Sequence, residues 1–322
     1  MCTAVSFSAK DHYFGRTLDH TCTYGEEVAI TPRNYPLEFR HGAALNEHYA
    51  IIGTAHVADG YPLYYDGANE KGLAMAGLNF VGYARYGKPV HGMDNIAQFE
   101  LLPWVLGQCA DVSQARGIIE KLQIVDTPFS DSMPAAELHW MLADKTGAVV
   151  VEAGADGLHV YDNPARVMTN NPGFPWHMLN LSNYMHLSPE SPENTFGDMP
   201  IAPFSSGLGA VGLPGDMSSP SRFVRAAFIR ANSAYGNSEQ ESVGSFFHIL
   251  SAVHQPRGCC ITADGEYMET VYSSCCNTDK GIYYYRTYDA HGTFGVDMFR
   301  EDIDGAALIR YPLETGEITM VN

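Results

Sequence analysis

Positive charge is scarce in this chain. Its 322 residues carry 19 Lys and Arg against 37 Asp and Glu, a formal charge of −18. That shortage argues against nucleic acid or an anionic membrane as a partner, since both demand clustered basic side chains. No apolar run approaches the ~20 residues of a membrane helix. The N-terminus, Met1-Cys2-Thr3-Ala4-Val5, lacks the basic and apolar regions of a signal peptide, so the cytoplasm is the expected location. The His-Glu-x-x-His zinc motif and the phosphate loop are both missing. The seven cysteines (Cys2, Cys22, Cys109, Cys259, Cys260, Cys275 and Cys276) are odd in number and irregular in spacing, which speaks against a disulfide framework. No Cys-x-x-Cys occurs, and the two vicinal pairs would aim their thiols at opposite faces of a strand. The thirteen histidines show no ligand spacing either. No metal and no cofactor are expected.

What is present reads as a globular protein: 45% hydrophobic residues and 17% charged ones suit a packed core rather than a disordered chain. Alternation predicts strands at Thr3–Phe7, Tyr13–Leu18, Glu27–Thr31, Tyr49–Val57, Pro62–Tyr65 and Gly72–Phe80, with turn chemistry over Asp66–Gly72. Helical spacing follows at Ile96–Leu106 and Val112–Leu122. Strands return at Glu137–Ala143, Ala148–Glu152, Leu158–Tyr161 and Arg166–Thr169. Leu187–Pro220, rich in Pro, Ser and Gly, reads as loop. Helices are predicted at Ser221–Ala234 and Glu241–Val253, then strands at Glu266–Tyr272 and Gly281–Tyr288. This order suggests an α+β layering in which helices cover stacked sheets, and a single domain over residues 1–322.

Position 2 carries the most chemistry per residue. Met1 precedes a small side chain, which is what methionine removal requires. Trimming would leave Cys2 with both a thiol and a free α-amine. Such an amine ordinarily titrates at ~7.7–8.0 and a thiol at ~8.5, so one can act as base for the other. Position 2 alone favours an ordinary strand cysteine. The stretch Phe14-Gly15-Arg16-Thr17-Leu18-Asp19 changes the weighting. Arg16 could stabilise a thiolate and Asp19 could hold an ammonium, although a surface ion pair is the usual fate of such residues. On an ideal strand the two face opposite sides, so a bend is expected at Asp19 if both serve one site.

Met-Cys-Thr at the start, the Phe14–Asp19 stretch and Asn69-Glu70-Lys71-Gly72-Leu73 together resemble the choloylglycine hydrolase family. Further matches are Ala76-Gly77-Leu78-Asn79-Phe80, Met168-Thr169-Asn170-Asn171-Pro172, Gly212-Leu213-Pro214-Gly215-Asp216 and Ser221-Arg222-Phe223. Each is common alone; in this order they are specific. The family comprises bile salt hydrolases and penicillin V acylases. The resemblance implies an N-terminal-nucleophile fold, a four-layer αββα sandwich, and hydrolysis of a linear amide without a cofactor.

By the same resemblance Cys2 is the nucleophile and its own α-amine the base, with a thioester intermediate. Arg16, Asp19, Asn79, Asn170 and Arg222 complete the catalytic set, Asn79 and Asn170 as oxyanion donors. Asn171 and Arg225 are the decoys beside them, and turn capping or a solvated helix face is the plainer reading of either pair. Gly-Leu-Asn-Phe at 77–80 resembles the bile salt branch, which implies glycine- or taurine-conjugated bile acids as substrates. A steroid calls for apolar walls. His20, Cys22 and Tyr24 after Asp19, Tyr65, and Phe129 within Pro128–Pro134 are the expected wall residues. Leu208, within Gly207-Leu208-Gly209, is the expected contact to the leaving amino acid, leaning to taurine. The family is commonly a homotetramer, so self-association is expected. The rivals are an acylase for penicillin V or an acyl-homoserine lactone, a catalytically silent binding protein, and a zinc module on the Cys-Cys pairs.

Overall fold

The computed structural model describes residues 1–316, 320 and 321. Its strands in chain order are Cys2–Ser8 (β1), His12–His20 (β2), Glu27–Thr31 (β3), Ile51–Ala58 (β4), Tyr61–Asn69 (β5), Ala74–Asn79 (β6), Asp94–Ala97 (β7), Leu122–Val125 (β8), Leu138–Ala143 (β9), Ala148–Gly154 (β10), Gly157–Asp162 (β11), Val167–Met168 (β12), Glu269–Asn277 (β13), Ile282–Thr287 (β14), Phe294–Asp297 (β15) and Ile309–Pro312 (β16). The helices are Leu101–Gln108 (α1), Val112–Ile119 (α2), Phe174–Asn180 (α3), Ser219–Asn232 (α4) and Glu239–Ser251 (α5).

Two large sheets result. One runs β12-β1-β2-β13-β14-β15, the other β11-β10-β9-β6-β5-β4-β3-β16, and β7 pairs with β8 in a small parallel ribbon. The large sheets stack face to face. Helices α4 and α5 cover the outer face of the first, and α1 and α2 that of the second. The order of layers is αββα. Both sheets are therefore buried on two faces, which is why alternation in β3 sorts Val28 and Ile30 into the inter-sheet core and Ala29 into the helix-facing core.

Gly15 in β2 has a steric reason. A Cβ there would lie 2.0 Å from the Ser274 carbonyl oxygen of β13, so only glycine lets these central strands meet. Helix starts follow side-chain chemistry. Ser238 and Glu241 form a capping box at α5, and Asp111 accepts from the Gln114 N–H at α2.

Four expectations are corrected. The Asp66–Gly72 turn is shorter, because β5 runs on to Asn69 and Gly67 pairs with Gly53. The helix expected from Ile96 begins at Leu101, and Ile96 and Ala97 belong to β7. The next expected helix stops at Ile119, and its last residue, Leu122, opens β8, the partner of β7. Three elements were not foreseen at all: α3, β15 and β16. The signal for α3 was Pro175, which sits in its first turn where a missing N–H is harmless.

Candidate active site

Cys2 opens β1, is 1% exposed and pairs across the sheet with Leu18. Alternation puts its side chain on the inter-sheet face with Leu18 and Arg16, and all three line one cavity of 340 Å³. The backbone of Cys2 meets a different group. Its N–H donates to Asn170 Oδ1 at 2.8 Å. Arg222 Nη1 donates to the Cys2 carbonyl at 2.6 Å and to Thr3 Oγ1 at 2.7 Å, while its Nη2 donates to Asn170 Oδ1 at 2.7 Å. Asn170 spends one of its two amide hydrogens on the Asn79 carbonyl, 2.8 Å away. With Met1 in place, the terminal ammonium donates to the Asp19 carbonyl at 2.8 Å and lies 3.1 Å from Met268 Sδ.

Arg16 is buried beneath the cavity. Its Nη1 donates to the carbonyls of Tyr65 at 3.1 Å and Gly77 at 2.6 Å, and its Nη2 has no partner among the described residues. Burial opposes its charge, but Cys2, Tyr272, Asp66 and Asp19 outweigh burial and hold the guanidinium charged. Arg222 is equally buried. Burial lowers its pKa, and the nearby Asp19 and Cys2 work against that.

Asp19 required no bend. β2 continues unbroken to His20, and the irregularity lies opposite, where the register of β13 shifts between Thr270 and Tyr272. Arg16 therefore faces the cavity side of the sheet and Asp19 the helix side. Asp19 Oδ1 accepts from Thr270 Oγ1 at 2.7 Å, and Oδ2 is sealed without a partner among the described residues. One residue can be approached from both faces because thiol and backbone nitrogen of Cys2 project in different directions.

The two decoys have work of their own. Asn171 Nδ2 donates to the Val81 carbonyl at 2.6 Å and does not reach Cys2. Arg225 is not on a solvated face: it is 8% exposed and ties α4 to the carbonyls of Ala252, Pro214 and Asp216.

Of the expected wall residues, His20, Tyr24, Tyr65 and Phe129 line the cavity. Cys22 does not. The chain turns outward after His20, and the Cys22 thiol is exposed, 3.7 Å from His20 Nδ1. Leu208 is also absent from the wall. It opens a short 3-10 turn pinned where the Ser188 N–H meets the Gly209 carbonyl at 2.9 Å. Gly209 has a packing reason, since a Cβ there would lie 1.9 Å from the Glu190 carbonyl oxygen. The cysteine pairs lie apart, Cys275 and Cys276 buried in β13 and Cys259 and Cys260 in the loop before it.

Sequence reasoning missed several groups here. Asn79 lies at the end of β6 and lines the cavity as expected, but so do Gln98, Phe99 and Leu102 at the β7–α1 corner and Leu138 and Trp140 of β9. Two buried histidines support the Asn170 segment. His139 Nε2 donates to the Thr169 carbonyl at 2.9 Å, and His177 Nε2 donates to the Asn170 carbonyl at 2.8 Å. The only sequence signal was their place in apolar segments.

A thiol beside a buried guanidinium, amide donors and a largely apolar cavity can accept an acyl group. Residues 2–311 match the family model described as linear amide C–N hydrolases, choloylglycine hydrolase family. The chain belongs to the choloylglycine hydrolase family. Among curated members, the bile salt hydrolase/transferase of Lactiplantibacillus plantarum is 49% identical over 316 residues, covering 98% of both chains. That of Clostridium perfringens is 38% identical over 317 residues, covering 97% of this chain and 96% of its own. The crystal structure of the C2A variant of the Clostridium perfringens conjugated bile acid hydrolase superposes with a TM-score of 0.92 at 37% identity, over the whole of both chains. Penicillin V acylase from Agrobacterium tumefaciens shares the fold, with a TM-score of 0.75 at 20% identity over 96% of this chain and 90% of its own. As a family member this chain is a linear amide C–N hydrolase with an N-terminal-nucleophile fold.

Proposed function

We propose that this enzyme hydrolyses the amide joining a bile acid to glycine or taurine, with Cys2 as nucleophile. The observation that carries the reading is the placement of Cys2: its thiol opens into a 340 Å³ cavity with apolar and aromatic walls, while its nitrogen is held 2.8 Å from Asn170 Oδ1. Kinship with bile salt hydrolases over nearly the whole chain supports the substrate class.

In this mechanism Met1 is removed, and the Cys2 nitrogen becomes an α-amine. The amine takes the thiol proton as sulfur attacks the amide carbon. The oxyanion is met by the free hydrogen of the Asn170 amide and by Asn79, each such donor counting for about 2.7–4 kcal/mol. Asp19 balances the charge of the ammonium, Arg16 that of the sulfur, and Arg222 holds Cys2 and Asn170 in register. The ammonium passes its proton to the leaving nitrogen, the C–N bond breaks, and a thioester remains. Water then attacks the thioester, releasing the bile acid and restoring the thiol. An amine attacking in place of water would form a new amide.

Self-association belongs to the same proposal. Trp176, Leu179, Met185, Phe196, Phe204 and Val211 stand exposed along one stretch, more apolar surface than a lone solvated loop carries comfortably. We take the assembly to be a tetramer, to be checked by light scattering, and the place of action to be the cytoplasm. No helix among the described residues is long and apolar enough to cross a membrane.

The deciding assay is release of free amino acid from taurocholate and glycocholate, with penicillin V alongside and Cys2→Ala as blank. Fast release from the bile salts, absent in the blank, is the expected result. Cleavage of penicillin V alone would keep the nucleophile and overturn the substrate class. Intact-mass measurement should find Met1 gone.

A further inference from the structure

Gln98 is out of character with the wall it belongs to. It sits between β7 and α1, is 2% exposed, and lines the same cavity as Cys2. Its neighbours there include Phe99, Leu102 and Phe129. Its side-chain Oε1 is sealed from solvent and has no partner among the described residues. A buried amide without a partner is destabilising, whereas an apolar side chain of similar shape would avoid that loss.

The corner that carries Gln98 is also held rigidly. The buried Glu100 carboxylate accepts from the Ala97 N–H at 3.0 Å, closing the bend over Gln98, and from the Arg40 N–H at 2.6 Å, which ties the bend to a distant segment. Gln98 thus stands on a fixed stretch of backbone at the cavity wall. An amide held this way is a pre-built polar anchor in an apolar site. By turning about its last torsion it can offer either oxygen or N–H, which complements a hydroxyl, itself both donor and acceptor.

We propose that Gln98 is a specificity-determining residue that hydrogen-bonds a ring hydroxyl of the substrate's acyl body. The inference rests on the reading of the cavity as the acyl site. Acyl groups that carry a hydroxyl facing Gln98 are favoured, and those lacking it leave the amide unpaired and are disfavoured.

The test compares taurine conjugates of bile acids bearing three, two and one ring hydroxyls. In the wild type, one pair differing by a single hydroxyl should separate in kcat/KM by about tenfold or more. In Gln98→Leu, that ratio should collapse towards one, through a higher KM for the favoured member. Gln98→Met serves as a second variant should the branched side chain fit poorly, and thermal melts of the unliganded variants confirm folding. A ratio unchanged in the variants overturns the proposal. That is the outcome expected if a fixed water satisfies the amide and no substrate hydroxyl does. If the wild type released taurine from none of these conjugates, the proposed function would fail separately. Calorimetric binding of the free bile acids to Cys2→Ala, with and without Gln98→Leu, then reads the same ratio. Equal affinities in that measurement, or no binding, would overturn the Gln98 assignment as well.

Discussion

Asn170 and Asn171 are chemically identical neighbours with separate partners, and that separation makes them the sharpest test at the scale of one residue. Asn170 touches Cys2, Arg222 and Asn79, whereas Asn171 spends its amide on Val81. Asn170→Ala is expected to lower kcat by about 10²–10³-fold, the usual effect of removing an oxyanion donor. Asn171→Ala should change it only a few-fold. Steady-state kinetics on taurocholate check this, and the opposite ranking would mean the wrong asparagine was assigned. The arginines allow a parallel comparison. Arg222 uses its guanidinium on four acceptors at once, which a lysine's point charge cannot reproduce. Arg222→Lys should therefore reduce kcat, and Arg225→Lys should mainly lower Tm, since its carbonyl partners lie in the loops around α4. Residue chemistry suggested the site around position 2, but not which carbonyl each guanidinium would find. Those acceptors lie far along the chain, on β1, β5 and β6 as well as on loops, and no local pattern joins them. Gln98, His139 and His177 were invisible for the same reason: each looks like an unremarkable residue in an apolar stretch until distant partners, or their absence, give it meaning.

Elements were legible where a pattern was local. The alternation that marks β1 to β4 and β9 to β11 comes from faces packed against an apolar layer, and it survives in the sequence. It failed at the end of β5. Asp66 and Gly67 have the chemistry of a turn, yet Asp66 is buried and accepts from Tyr272 at 2.5 Å, Ser274 at 2.8 Å and Tyr283 at 2.7 Å across the sheets. Those partners lie some two hundred positions along the chain, beyond any window of periodicity. The link from β9 and β12 to α3 carries a prediction about acid. Burial holds His177 of α3 neutral and lowers its pKa from 6.5 to about 4. As pH falls through 6.5 the unfolded chain takes up a proton at this residue, and the folded chain does not until about 4. Stability from this group is therefore whole above pH 6.5 and drains between 6.5 and 4, on the order of a few kcal/mol. Tm should fall less steeply with acid in His177→Gln than in the wild type over that range. Identical slopes would rule the histidine out as a source of acid lability.

At the scale of the molecule, early and late parts of the chain are woven together. β2 pairs with β13, β1 with β12, and β3 with β16. We propose that residues 1–322 form one cooperative domain, because any cut between β3 and β15 divides both sheets. Calorimetry at fixed protein concentration should give a single transition, coincident with loss of near-UV circular dichroism; two separated transitions would contradict it. Helices layered over stacked sheets were readable from the order of strand and helix patterns; the four-layer plan came from the family resemblance, and the pairing order of the strands from neither. The burial of β1 from its first residue has a practical corollary. The Met1 ammonium donates to the Asp19 carbonyl, so a segment added at the front would have to replace that contact. Met320 and Val321, at the other end, are 73% and 97% exposed. Affinity tags, fluorescent fusions and surface anchors therefore belong at the back: under the proposed mechanism a partner fused at the front would keep the Cys2 nitrogen an amide, which cannot serve as the base.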